Sequence, residues 1–144
     1  MANQYCTFRL GGHLFGVPVE TVQEVLRHQE LTRVPLSAPE VCGLINLRGQ
    51  IVITVDLRRR MGLPERDETT VSTNVVVRTA EGATSLLVDE IGDVLEPTTD
   101  RFESPPETVP ARVRDLVTSV FKLDKDLMLV LDTAKAVSVE HVAA

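Results

Sequence analysis

The sequence predicts a mainly β protein: two small five-stranded barrels packed together, with short helices closing their ends. Three observations carry this. Short apolar runs rich in Val, Ile and Thr recur between Gly, Pro and Asp turn signals, and β-branched side chains suit a pleated surface. No stretch reads as a long crossover helix, which argues against a parallel α/β sheet, and closing each unit would hide its edges. Third, the chain repeats itself. An offset of 69 carries Phe8-Arg9 onto Val77-Arg78 and Val22-Gln23-Glu24-Val25-Leu26 onto Ile91-Gly92-Asp93-Val94-Leu95. An offset of 76 carries Leu47 onto Leu123, Ile53 onto Leu129 and Val55-Asp56 onto Leu131-Asp132. The offset grows by seven across the proline-rich stretch 97–110.

In chain order, residues 4–10 and 13–17 form a hairpin around Gly11-Gly12. Residues 18–26 make a short helical turn or a bent strand, with Val19, Val22 and Val25 at threefold spacing. The two prolines in 32–39 mark an irregular connection. Next come two apolar runs around Arg48-Gly49-Gln50, a hairpin whose Gly supplies positive φ. Asp56 is placed to cap a short helix, 57–61, that stops at Gly62 with Pro64 beyond. The polar stretch 65–70 reads as a linker within the fold. Strands follow at 73–79 and 84–88, with Glu81-Gly82 as their turn. Four prolines make 97–110 a long surface loop. Strands at 117–123 and 127–131 flank Asp124-Lys125-Asp126, and Asp132 caps a last helix. The whole is one domain over 1–144, divided into a subdomain at about 13–72 and another at about 73–136 that takes in the N-terminal strand.

Composition narrows the function. A 144-residue chain with 43% apolar residues and mean hydropathy near zero can bury a core, and with 3% aromatics and no Trp that core is Val, Leu and Ile. A net charge of −6 and few stacking side chains argue against nucleic acid, the alternative that a small β-barrel raises. The one basic run, Arg58-Arg59-Arg60, reads first as a solvated helix face. Cys6 and Cys42 are far apart and read as buried, reduced thiols; no apolar leader precedes them, so a cytoplasmic location is expected. His13, His28 and His141 are scattered and no cysteine or carboxylate stands at metal-ligand spacing, so neither metal nor cofactor is expected. No nucleophile elbow or phosphate loop is present, and Asp56 and Asp132 are explained by capping; the chain is not expected to be an enzyme.

Two charges stand apart. Glu24 and Arg48 each lie in an apolar segment expected to be largely buried, where an unpaired charge is costly, so they are expected to pair, the Arg offering its planar fork; the alternative is that Arg48 is simply an exposed turn residue. The repeat places Asp93 and Asp124 at the matching positions, two acids that cannot pair.

Gly43-Leu44-Ile45-Asn46-Leu47-Arg48-Gly49, followed by an apolar strand and Val55-Asp56-Leu57-Arg58, resembles the signature of CheW-like domains, the adaptors joining a chemotaxis histidine kinase to chemoreceptor tips. Val22-Gln23-Glu24-Val25, Arg33-Val34-Pro35, Ala38-Pro39 and Leu87-Val88-Asp89 also match, so the resemblance spans about 5–136. It implies two SH3-like barrels and a non-enzymatic adaptor recruited to membrane-bound receptor arrays, where like domains can pack against one another. It further implies receptor contact at Cys6, Val19, Val22, Val25 and Ile91, a coupling role for Glu24 and Arg48, and kinase contact at Leu31, Val34 and Leu36. The repeat adds that Val19, Val22 and Ile91 fit a groove between the halves, because Val22 and Ile91 are equivalents. The chain departs from the family pattern at Ile53, where Pro is usual, and at Thr54, where an apolar residue is commoner.

Overall fold

The computed structural model describes residues 4–27, 29–33, 35, 38–65, 71–80, 82–97 and 102–138. The expected linker at 66–70, Glu81 of the expected turn and the tail from 139 lie outside them. The strands are β1 (Tyr5–Leu10), β2 (His13–Pro18), β3 (Val22–Arg27), β4 (Val41–Leu47), β5 (Gln50–Asp56), β6 (Thr73–Thr79), β7 (Gly82–Val88), β8 (Glu90–Leu95), β9 (Phe102–Glu103), β10 (Val117–Lys122) and β11 (Leu127–Leu131). Three short helices accompany them: α1 (Leu57–Arg60), α2 (Ala111–Arg114) and α3 (Thr133–Val137). Asp56 and Asp132 cap α1 and α3 as expected, accepting from the Arg58 and Lys135 amides at 3.0 and 3.1 Å.

The strands form two sheets, ordered β3-β6-β7-β5-β4 and β8-β1-β2-β11-β10-β9. The mainly β architecture and the pairing of two similar units follow the sequence. The subdomain boundary does not. The five-stranded sheet is one contiguous stretch, 22–88, and the six-stranded sheet is built from 5–18 and 90–131. Each repeat gives its opening hairpin away: β1–β2 joins the strands of the second repeat and β6–β7 those of the first. The cause is a parallel pairing in each sheet, Thr54 opposite Ser85 and Met128 opposite Leu14. A parallel pair needs a long connection, and chain order alone does not reveal which distant strand supplies the partner. The chain therefore crosses between sheets at only two places, the 3-10 turn Val19–Thr21 and the single residue Asp89.

Neither sheet is a closed hydrogen-bonded barrel. β3 and β4 are the edges of one and β8 and β9 of the other. The largest core lies between the sheets, with Phe8, Leu10, Phe15 and Val17 from one side and Val55, Val75, Val77, Leu86 and Val88 from the other. Each sheet also covers a smaller core on its far face, Ile45, Leu47, Val52 and Val76 in the first and Leu14, Phe121, Met128 and Val130 in the second. Central strands buried on both faces lose their alternation, which is why Val75-Val76-Val77 reads as an unbroken apolar run.

Residues 97–110 are not a bare surface loop. They contain β9, whose Phe102 ring lies 5.3 Å from Phe121 and 5.9 Å from Tyr5, and Val109, which is buried. Prolines punctuate the stretch, yet one aromatic and one valine tie residues 102–110 to the core. The four-residue α2 was not anticipated, being too short to show a helical period.

Candidate functional site

The two sheets leave a groove between edge strands β3 and β8, and a bulge in β3 decides what lines it. Val22 pairs with Val77 and Val25 with Val75, while Glu24 pairs with Val76. Paired residues share a face, so the bulge turns Val22 and Val25 to the side of the shared core and sends Glu24 to the other. The threefold spacing is thus a property of a bent strand, not of a helix. Across the groove Ile91 pairs with Phe8, and after a second irregularity Val94 pairs with Cys6, giving β8 the same spacing. Val22 and Ile91 are half-buried and pack on the shared core, whereas Val25 and Val94 are 42% and 58% exposed. Val25 and Ile91 line an open cavity of about 350 Å³ with Arg27, Val71, Ser72, Thr73, Asp89 and Glu90.

The structure thus brings Val25 and Ile91 to one groove, while Val22 packs on the shared core and does not line the cavity. Val19 is 36% exposed in the crossing turn and is not among the residues lining the cavity. Cys6 is buried, as the sequence reading of its thiol expects. It sits on β1 among the buried core residues, because it alternates with Phe8 and Leu10 on the inward face. Burial holds its thiol above the usual range, in the neutral form. Cys42 is half-buried and both cysteines are reduced.

Glu24 and Arg48 do pair, with Arg48 Nη2 at 2.5 Å from Glu24 Oε1. The burial expected of them is found for Glu24, at 20% exposure, but Arg48 is 74% exposed and a single nitrogen makes the contact. Arg48 stands at φ 51° and Gly49 at φ 86°, a type I′ arrangement of the β4–β5 turn, with Asn46 Oδ1 accepting from the Gly49 amide at 2.8 Å. A residue at the tip of a two-residue turn reaches water whatever its neighbours are. What the pair does structurally is span the open seam: Glu24 lies on edge strand β3 and Arg48 at the end of edge strand β4. The six-stranded sheet carries Asp93 and Asp124 there and has no such clasp.

The CheW-like domain model matches residues 4–141 of this chain. The chain belongs to the CheW-like domain family. Among curated proteins, the chemotaxis protein CheW of Bacillus subtilis is 30% identical over 87% of this chain and 80% of its own length. That of Klebsiella aerogenes is 27% identical over 99% and 86%. Among solved structures, the scaffolding protein TtCheW of Thermoanaerobacter tengcongensis superposes with a TM-score of 0.87 at 25% identity, over 99% of this chain and 93% of that one. As a CheW-like chain it is a scaffolding adaptor of chemotaxis signalling.

Of the residues that the resemblance assigns to the kinase side, Leu31 is half-buried against the far core of the five-stranded sheet. Val34 and Leu36 lie outside the described residues, as do His28 and His141. Thr32 bridges Leu44 on β4, which holds Leu31 beside that edge, and Ile51 and Ile53 on neighbouring β5 are 60% and 40% exposed. No described helix is long and apolar enough to cross a membrane, and no group of His, Cys, Asp and Glu among the described residues could hold a metal.

The basic run is only partly a solvated face, with Arg59 exposed and Arg58 mostly buried. Arg58 presents its fork to Asp89, Nε to Oδ1 at 2.8 Å and Nη2 to Oδ2, with both side chains mostly buried at 16% and 14% exposure. Its remaining nitrogen donates to the Pro64 carbonyl at 2.7 Å, and the Gly11 amide donates to Asp89 at 3.0 Å. The hydrogen bond to Asp89 raises the Arg58 pKa further still. Arg59 pairs with Glu65, and Arg60 donates to the Lys135 carbonyl on α3. Sequence reasoning missed Val94 and the Arg58–Asp89 pair. Val94 was readable as Val25 shifted by the repeat of 69; the pair had no sequence signal beyond the presence of both residues in family-like motifs.

Proposed function

We propose that this chain is a non-enzymatic adaptor that couples the helical-hairpin tip of chemoreceptors to a chemotaxis histidine kinase. The observation that carries the receptor side is the groove: Val25 from one edge strand and Ile91 from the other, with Val71 beside them, framed by Arg27, Asp89 and Glu90. An apolar floor with a charged rim suits the apolar stripe of an amphipathic helix. The Glu24–Arg48 clasp sits on the strand that forms one wall of that groove, and its role is to keep β3 in place while a partner is bound. The kinase side is the opposite edge, β4 with Leu31 beside it, where a free strand can be met by a sheet of similar build. No membrane segment is needed for this work, since receptors supply the recruitment. A nucleic-acid role gains no support from the basic run, which is engaged in internal pairs.

The test is co-sedimentation of the protein and kinase with receptor-containing membranes, read together with kinase activity. The native chain brings kinase to the membranes and places it under receptor control. Val25→Glu, a change at an exposed position, abolishes receptor binding and leaves kinase binding intact. Equal binding of native and Val25→Glu chains to receptor would overturn the groove assignment, and binding to neither partner would overturn the adaptor reading.

A further inference from the structure

The Arg58–Asp89 pair stands at an unusual place in the chain. Val88 ends β7 in one sheet and Glu90 begins β8 in the other, so Asp89 alone is the crossing between them. Its carboxylate is gripped from both sides. Arg58 belongs to α1, which follows β5 of the five-stranded sheet; the Gly11 amide belongs to the β1–β2 turn of the six-stranded sheet. The Asp89 amide also donates to the Arg9 carbonyl on β1, at 3.2 Å. Asp89 and Glu90 line the groove cavity together with Ile91, two residues on from the crossing, so the position of the groove's β8 wall is set where Asp89 is held. The other crossing, at Val19–Thr21, is held by backbone contact and a hydroxyl: the Val19 amide donates to the Gln4 carbonyl at 2.9 Å and Thr21 Oγ1 to the Pro18 carbonyl at 2.8 Å. Only the Asp89 crossing carries a charged, two-pronged side-chain grip.

We propose that Arg58 and Asp89 are positioning residues for the groove: their bidentate pair fixes the angle between the two sheets at the Asp89 crossing and so sets the separation of the β3 and β8 walls. The inference rests on the reading of the groove as the receptor-docking surface, and it adds to that reading the pair that holds the surface in shape. A rigid fork against a carboxylate fixes orientation as well as distance, which a lysine in the same place would not do. A groove held at one width presents its binding-competent form nearly all the time. If loss of the grip leaves it competent about a tenth of the time, apparent affinity for a helical partner falls about tenfold, with no contact residue changed.

The experiment compares the full-length native chain with Arg58→Lys and Asp89→Asn, two variants that keep side-chain size and, for Lys, charge. Spin labels on Gln23→Cys and Asp93→Cys, in a Cys42→Ser background with Cys6 left buried, report the distance from β3 to β8 by double electron–electron resonance. Binding to a receptor-tip helical hairpin and to the kinase regulatory domain is measured alongside, with thermal unfolding to show that each variant is folded. The expected result is a broadened or shifted distance distribution and roughly tenfold weaker hairpin binding, with kinase binding within twofold of native. An unchanged distance distribution in folded variants overturns the proposal, as does hairpin binding equal to native. Loss of the fold in both variants also overturns it, since the pair would then hold the domain together rather than shape the groove. Failure of the native chain to bind the hairpin would instead sink the groove reading, while the distance measurement would still decide the role of the pair.

Discussion

Arg48 is the only non-glycine residue with positive φ among the described residues, and two opposing effects meet there. A non-glycine side chain in the left-handed region costs about 1 kcal/mol relative to glycine. Its contact with Glu24 is a single 2.5 Å approach from a guanidinium that is 74% exposed, and solvent reduces such a pair to about 0.5 kcal/mol. Arg48→Ala removes the pair and keeps the strain, so it destabilises by about 0.5 kcal/mol. Arg48→Gly removes both, so it stabilises by about 0.5 kcal/mol, the difference between relieved strain and lost pair. For a domain of this size these changes move Tm by about 1–2 °C, downward for Ala and upward for Gly. Urea and thermal unfolding of the three chains, at low and high salt, measure both effects, because salt weakens only the ion pair. Gly no more stable than Ala would refute the strain, and an Ala variant losing more than about 2 kcal/mol would refute the exposed-pair estimate. In the coupling assay both variants are expected to fail alike. A glycine variant more stable than the native chain and still coupling receptor to kinase would remove the clasp from the mechanism.

Four further outcomes follow from single contacts. Thr54 is fully buried and its hydroxyl has no partner among the described residues, so Thr54→Val is expected to raise stability by about 1 kcal/mol in urea unfolding; a loss would show the hydroxyl is satisfied. Gly43 lies where an added Cβ would come within 2.8 Å of the Thr32 carbonyl, a backbone atom that cannot swing aside, so Gly43→Ala is expected to break the Thr32–Leu44 bridge and cost about 2 kcal/mol or more. Alkylation of the native chain, followed by peptide mapping, is expected to modify Cys42 well before Cys6, whose thiol is buried and held neutral; equal rates would contradict that burial. Burial works to raise the Asp126 carboxyl, but hydrogen bonds from Arg9 and the Leu127 amide and the Arg9 charge outweigh it and leave it lowered. A lowered folded-state pKa contributes stability above the unfolded carboxyl's pKa that is lost as pH falls through the folded one. Asp126→Asn is therefore expected to cost less than about 1 kcal/mol at neutral pH and nothing in strong acid; a penalty independent of pH would refute the assignment.

What the sequence made legible was local. The hairpin around Arg48-Gly49, the Asp56 cap and the strand at 73–79 are written in turn chemistry and side-chain branching, and the structure has them where the residues put them. The repeat showed that two similar units exist and matched β3 to β8 correctly. It could not show which hairpin completes which sheet, because Val75 and Val77 would bury equally well against either set of partners. Burial of Cys6 was legible in the sequence, whereas the bulge at Val22–Glu24 was hidden, because it depends on register against a strand far away in sequence. For Arg48 the sequence left two readings, buried pair or exposed turn, and the structure combines them: the pair forms, but at a turn tip that is wet by geometry. The Arg58–Asp89 contact joins residues 31 apart and has no periodic trace at all.

The exchange of hairpins orders the assembly of the molecule in time. Of these strands β1–β2 leave the ribosome first, yet their neighbours β8 and β11 are synthesised only after residue 89. The stretch 22–88, by contrast, holds every strand of its own sheet and can pair up as soon as it is out. The first hairpin made is therefore the last to be placed. For as long as residues 90–131 are being added, the apolar flank of β2 has no permanent neighbour at the β11 position, and that interval is when such a chain is most exposed to pairing with another copy of itself.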